Sequence, residues 1–210
     1  MMLLTLPAVI IAITFHEYAH AYMADRLGDT TPRNQGRLTL NPLVHIDPIG
    51  IIILMFAHVG WGKPVEINPN NFTSNKSRST CEALVSLAGP IMNFIIALVG
   101  IIIWFAISKY ATTVSDLILI LVSLIQMTVI INIGLGVFNL IPLPPLDGEK
   151  IFRNIMPNSI QRWLDTNSNI LQIVFLVLWI SGALGTLVSP VIELIWNTMI
   201  IGVGFVFGLF

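Results

Sequence analysis

The stretch Ile49-Gly50-Ile51-Ile52-Ile53-Leu54-Met55-Phe56-Ala57-His58-Val59-Gly60 decides how the rest of the chain is threaded. It is strongly apolar, yet a helix of twelve residues reaches only about 18 Å, against a hydrocarbon core of about 30 Å. Read as a segment that dips in and returns, it leaves both flanks on one side of a bilayer. Read as a span, it inverts everything that follows. The choice arises because the composition is that of a membrane protein: of 210 residues, 55% are apolar and 10% charged, where soluble domains carry about 25% charge. Ten Lys and Arg against eleven Asp and Glu leave a net charge of -1, so there is no basic face for nucleic acid. The hydrophobicity excludes disorder, and the single cysteine, Cys81, allows no internal disulfide.

Working outward, four apolar stretches are long enough to cross a bilayer: 83–107, 117–141, 170–188 and 191–210. The N-terminal run 1–15 is too short alone and spans only if its helix continues to about Leu27, where Gly28 suits a C-terminal cap. With the N-terminus outside and 49–60 returning, Arg26, Arg33, Arg37, Lys63, Lys76, Arg78, Lys150, Arg153 and Arg162 fall inside, and only Lys109 outside. That is a strong positive-inside bias, and threading 49–60 through the membrane destroys it. The expected fold is an all-α multi-pass membrane protein of about five transmembrane helices plus a short re-entrant element. Strand-like runs at 36–40 and 64–67 are expected to form small β segments at the cytoplasmic face. No boundary or repeat divides the chain, so 1–210 reads as a single membrane-embedded domain, with a core at 1–156 and a C-terminal helix pair at 170–210.

Chemistry enters at His16-Glu17-Tyr18-Ala19-His20, an H-E-x-x-H pattern. On a helix, positions i and i+4 share a face, so both imidazoles can bind one Zn²⁺ with Glu17 beside a water on the metal. Two histidines and a glutamate hydrogen-bonded inside a bundle is the plainer reading. Ionisable groups in a spanning helix cost about 2.5–3.5 kcal/mol each, however, so three on adjacent turns call for a compensating site. A zinc site needs a third protein ligand and an open position. Asp147 is the candidate, in the proline-broken stretch Asn139-Leu140-Ile141-Pro142-Leu143-Pro144-Pro145-Leu146-Asp147-Gly148; an ordinary turn aspartate before Gly148 is the alternative. The threading that satisfies the charge bias also puts His16, His20 and Asp147 toward the same membrane face, whereas the inverted threading separates them.

The H-E-x-x-H in the first span, Gly89-Pro90-Ile91-Met92-Asn93 in a middle one, and the 139–148 stretch resemble the site-2 protease family of intramembrane zinc metalloproteases. Gly36-Arg37-Leu38-Thr39-Leu40-Asn41-Pro42-Leu43-Val44-His45-Ile46-Asp47-Pro48-Ile49-Gly50 resembles a compact prokaryotic branch of it, without the PDZ domain that many relatives insert between the spans matching 83–107 and 117–141. The resemblance implies one Zn²⁺ per chain held by His16, His20 and Asp147, with Glu17 as catalytic base and Asn93 and Asn139 near the substrate backbone. It implies transmembrane protein substrates, regulated intramembrane proteolysis, and a place in the plasma or inner membrane with the site toward the cytoplasm. Glu149 departs from the family pattern, where a small residue is usual. His45 is a candidate outer partner or substitute ligand, and His58 reads as a bundle histidine. Two rival functions stand beside this one: a catalytically silent relative using zinc as a structural staple in a binding or chaperone module, and a metal transporter, which would need ligands layered along a path.

Overall fold

The computed structural model describes residues 2–57, 60–111 and 115–208. Its elements in order are α1 (Met2–Arg26), α2 (Thr31–Asn34), α3 (Pro48–Ala57), α4 (Arg78–Tyr110), α5 (Asp116–Asn139), α6 (Asp147–Arg153), α7 (Asn158–Thr166), α8 (Ser168–Ile180) and α9 (Ala183–Phe207). The 3₁₀ turns Pro42–Val44 and Pro69–Asn71 punctuate the loops. Local chemistry sets several boundaries. The Ser77 hydroxyl accepts the Thr80 N–H at the start of α4, and Ser115 does the same for Ile118 at the start of α5. α1 runs unbroken through the H-E-x-x-H pattern and ends just before Gly28, whose φ of 106° only glycine adopts freely.

The threading of 49–60 is answered by its flanks. Ile46 and Gly62 form an antiparallel bridge, so the chain leaves through α3 and comes back to where it started. α3 has ten residues, about 15 Å of helix, too short to cross. His58 lies outside the described residues. This bridge is also all the β pairing present among the described residues: the expected segments at 36–40 and 64–67 are not strands. Their backbone groups are drawn to side chains and turns instead, as the site below shows.

α4, α5 and α9 are long and apolar enough to cross a membrane; the pair α7–α8 is a fourth only if two helices bent by 76° are counted as one broken span. Among the described residues, three or four helices meet that measure, and the expected five are not confirmed. The predicted 170–188 span stops at Ile180, because Ser181 is followed by Gly182 in the left-handed conformation (φ 76°). The expected break at Ser189-Pro190 is absent: Pro190 sits inside α9. α8 by itself, with 13 residues and about 20 Å, is too short to cross.

The direction of α9 follows from its neighbours. At its start, Leu184 clusters with Leu146 and with Phe175 of α8. At its far end, Phe207 stacks on Phe105, and Lys109 at the end of α4 donates to the Phe207 carbonyl. α9 therefore begins at the same end as Asp147 and finishes beside Lys109. Between those ends, Ala97, Ile101, Val129, Ile133, Val188 and Val203 form a continuous apolar core among α4, α5 and α9.

Candidate metal centre

The site forms where α1, α4 and α6 meet. His16 and His20 lie one turn apart on α1, both buried, with their Nε2 atoms 3.0 Å apart. Asp147 opens α6, and its Oδ2 lies 3.2 Å from each Nε2. Among the described residues, no other group of three His, Cys, Asp or Glu side chains converges this way. Two glycines make the approach possible. A Cβ on Gly89 of α4 would lie 2.5 Å from His20 Nε2, and one on Gly148 would lie 2.3 Å from the Ile141 carbonyl, where α6 tucks under the end of α5.

The remaining ring nitrogens settle the tautomers. His16 Nδ1 donates to Asn93 Oδ1 at 2.7 Å, and His20 Nδ1 donates to the Val85 carbonyl at 2.7 Å. The orientation of Asn93 is fixed by its own amide nitrogen, which donates to the Ala12 carbonyl (3.1 Å) and to Asn132 Oδ1 (2.9 Å). Asn132 in turn donates to the Thr128 carbonyl at 2.8 Å. With Nδ1 protonated on both rings, both Nε2 atoms present lone pairs. While both rings are neutral, three acceptors thus face one another at 3.0–3.2 Å. Such a set repels itself unless a cation lies among it. Zinc fits the donors by type, and its ligand distances of about 2.0–2.1 Å put tetrahedral neighbours about 3.3 Å apart.

Glu17, next to His16 on α1, contacts a strap, residues 60–73. Its Oε2 accepts the Val65 N–H at 2.9 Å and lies 4.0 Å from Arg37 Nη2. Arg37 is 5% exposed and donates to the Lys63 carbonyl. Further along, fully buried Asp29 accepts the Asn68 N–H at 2.7 Å and Asn71 Nδ2 at 3.0 Å. Burial alone would raise the Asp29 carboxyl, but the hydrogen bonds from Thr31, Asn68 and Asn71 hold it below its ordinary value.

The other candidates are placed as follows. Asn93 is fully buried with both ends of its amide engaged, so it faces His16 and not an open cleft. Asn139 closes α5 and donates to the Leu135 carbonyl at 3.0 Å. His45 is fully buried outside the triangle: Nε2 donates to the Thr39 carbonyl at 2.7 Å, and Nδ1 has no partner. Burial lowers its pKa. Glu149 turns from the triangle to Arg153, whose Nε donates to it at 2.8 Å, while Arg153 Nη2 reaches Asp165 of α7 at 2.6 Å. Sequence reasoning missed Asn132, Arg37 and the backbone groups of Val85 and Val65. Asn132 had a signal, as an amide inside a long apolar span; the backbone groups had none.

The profile of peptidase family M50 matches residues 106–181, the part that delivers Asp147. Along most of the chain the sequence is similar to "Putative zinc metalloprotease YwhC" of Bacillus subtilis (strain 168), 37% identical over 174 residues that make up 82% of this chain and 78% of that protein. The chain belongs to peptidase family M50, the site-2 protease family. Other M50 relatives are the proteins named "Putative zinc metalloprotease Rip2" of Mycolicibacterium smegmatis, 30% identical over 87% of this chain and 68% of that protein, and of Mycobacterium tuberculosis strain H37Rv, 26% identical over 83% and 66%. No solved structure matches the chain.

Proposed function

We propose that the chain is an intramembrane zinc endopeptidase that hydrolyses peptide bonds within or beside transmembrane segments of other proteins, as in regulated intramembrane proteolysis. The observation that carries this reading is the triangle of His16 Nε2, His20 Nε2 and Asp147 Oδ2, three buried ligand atoms within 3.2 Å of one another. One zinc per chain would be held by these three residues. When bound, it polarises a scissile carbonyl and makes water a nucleophile near neutral pH.

The chain's own residues supply the rest. Val85 and the Asn132–Asn93 pair keep the imidazole lone pairs aimed inward, the orienting role that outer partners play in metal sites. Glu17 Oε1 has no hydrogen-bond partner among the described residues, so it is the oxygen that takes a proton from water and passes it to the leaving amine. A substrate helix has to unwind locally, since its carbonyls are occupied while it is helical. Nine of the ten Lys and Arg lie at the end of the molecule that carries the site, which supports a multi-pass arrangement in the cell membrane with the site toward the cytoplasm.

The test is zinc stoichiometry on purified wild type, Glu17→Gln and Asp147→Ala, paired with cleavage of a membrane-embedded model helix. Glu17→Gln should keep its zinc and lose cleavage; Asp147→Ala should lose both. Full zinc in Asp147→Ala would remove the carboxylate from the ligand set, and zinc-loaded wild type cutting no embedded helix would favour the silent binding module.

A further inference from the structure

A buried guanidinium stands beside the presumptive base and has no place in the zinc site. Arg37 comes from the loop after α2 and is 5% exposed. Two of its contacts are defined: its Nη2 donates to the Lys63 carbonyl, and the same Nη2 lies 4.0 Å from Glu17 Oε2. Its Nε, also buried, has no partner. Two residues beyond Lys63, the Val65 N–H reaches that same Glu17 oxygen at 2.9 Å. The strap is held here from a second side too, because the Lys63 N–H donates to the His45 carbonyl at 2.8 Å.

We propose that Arg37 is a positioning residue for Glu17: it pins the strap at Lys63, so that the Val65 N–H and its own charge hold Glu17 Oε2 and leave Oε1 free to accept a proton. This rests on the reading of Glu17 as general base. A plain loop staple would need no cation. A neutral amide satisfies the Lys63 carbonyl equally well, and burying a charge is costly unless something opposite in sign gains from it. Two carboxylates gain, Glu17 and Glu66; of these Glu17 is the one in ion-pair contact, only 13% exposed and with no other ion-pair partner among the described residues. The arrangement also distinguishes the two carboxylate oxygens. Both external contacts fall on one oxygen, so turning the carboxylate plane part-way out of this position breaks both at once. General-base catalysis depends on such placement, since a misalignment of about 1 Å costs on the order of a hundredfold in rate.

The test uses the full chain, zinc-loaded in proteoliposomes, with a model transmembrane substrate and hydrogen exchange as a second readout. Arg37→Gln should keep wild-type zinc content, lower kcat by about tenfold to a hundredfold with KM nearly unchanged, and speed amide exchange in residues 62–66. Arg37→Lys, which restores the charge, should recover most of kcat. Wild-type kcat in Arg37→Gln, unchanged exchange in the strap, or a loss that Arg37→Lys leaves untouched would each overturn the proposal; the last outcome is what a staple predicts. Should Arg37→Gln fail to fold, Val65→Pro removes only the N–H that reaches Glu17, and undiminished kcat there overturns it equally. Glu17→Gln run alongside separates the two ideas: cleavage surviving that change sinks the general-base reading, while exchange in Arg37→Gln still reports whether Arg37 holds the strap.

Discussion

At the scale of single residues, the metal centre depends as much on what points the ligands as on the ligands. The Thr128 carbonyl, Asn132, Asn93 and His16 form one line of hydrogen bonds in which each amide has only one workable orientation. Replacing Asn132 by Leu removes one of the two acceptors that orient Asn93 and leaves only the Ala12 carbonyl to keep its oxygen toward His16. Zinc affinity should then fall about 10- to 100-fold, as for other outer partners of metal ligands; a competition titration with a chromophoric chelator measures it, and unchanged affinity would show that the line is ornamental. Gly89→Ala is a harsher test, since its methyl would lie 2.5 Å from His20 Nε2. It should abolish zinc binding while the helices remain formed by circular dichroism. The histidine pair and Asp147 were legible because an i, i+4 spacing and a proline-broken helix leave marks in sequence. Val85 and Val65 act through backbone atoms, which every residue has, so no pattern of side chains could reveal them.

Among elements, α6 is the one to watch, because it has only seven residues and carries Asp147, the proposed third ligand, at its first position. It is braced by Arg153, which joins buried Glu149 to Asp165 on α7, and Gln161 of α7 donates back to the Arg153 and Met156 carbonyls. Arg153→Met leaves the Glu149 carboxylate buried and unpaired and should cost about 2–3 kcal/mol, read as a fall in the thermal midpoint. Removing both charges, in Glu149→Gln with Arg153→Met, should recover much of that loss. Equal losses in the single and double variants would mean the pair carries no coupling. This brace also explains how a glutamate is accommodated two positions after a metal ligand. The sequence suggested a continuous apolar crossing at 170–188 where the structure has the short α8. Hydropathy averages over side chains and cannot register that Gly182 turns left-handed, nor that Pro190 is absorbed within a helix.

For the whole molecule, the polarity of α9 makes a prediction that composition alone gets wrong. Two crossings after residue 170 would return the end of the chain to the side of Asp147. With the start of α9 packed against Leu146 and Phe207 held by Lys109, it emerges opposite. Cysteines introduced at Gly208 and Lys109 should be labelled by an impermeant maleimide from one face of the membrane, and one at Lys63 from the other. Native Cys81 is fully buried, so its background is low. Gly208 and Lys63 labelling from a common side would refute the arrangement. Chelation offers a second global test: stripping the ion should lower the unfolding midpoint of wild type but not of Asp147→Ala, because only a competent site couples folding to the metal. The line of amides from Thr128 to His16 has a mechanical meaning at this scale. It rivets α5, α4 and α1 to one another at the depth of the reaction, so prising them apart would swing an imidazole out of aim. If the chain cleaves embedded helices as proposed, a guest would be admitted on the flank of the strap, where what has to give way is a loop and not a wall.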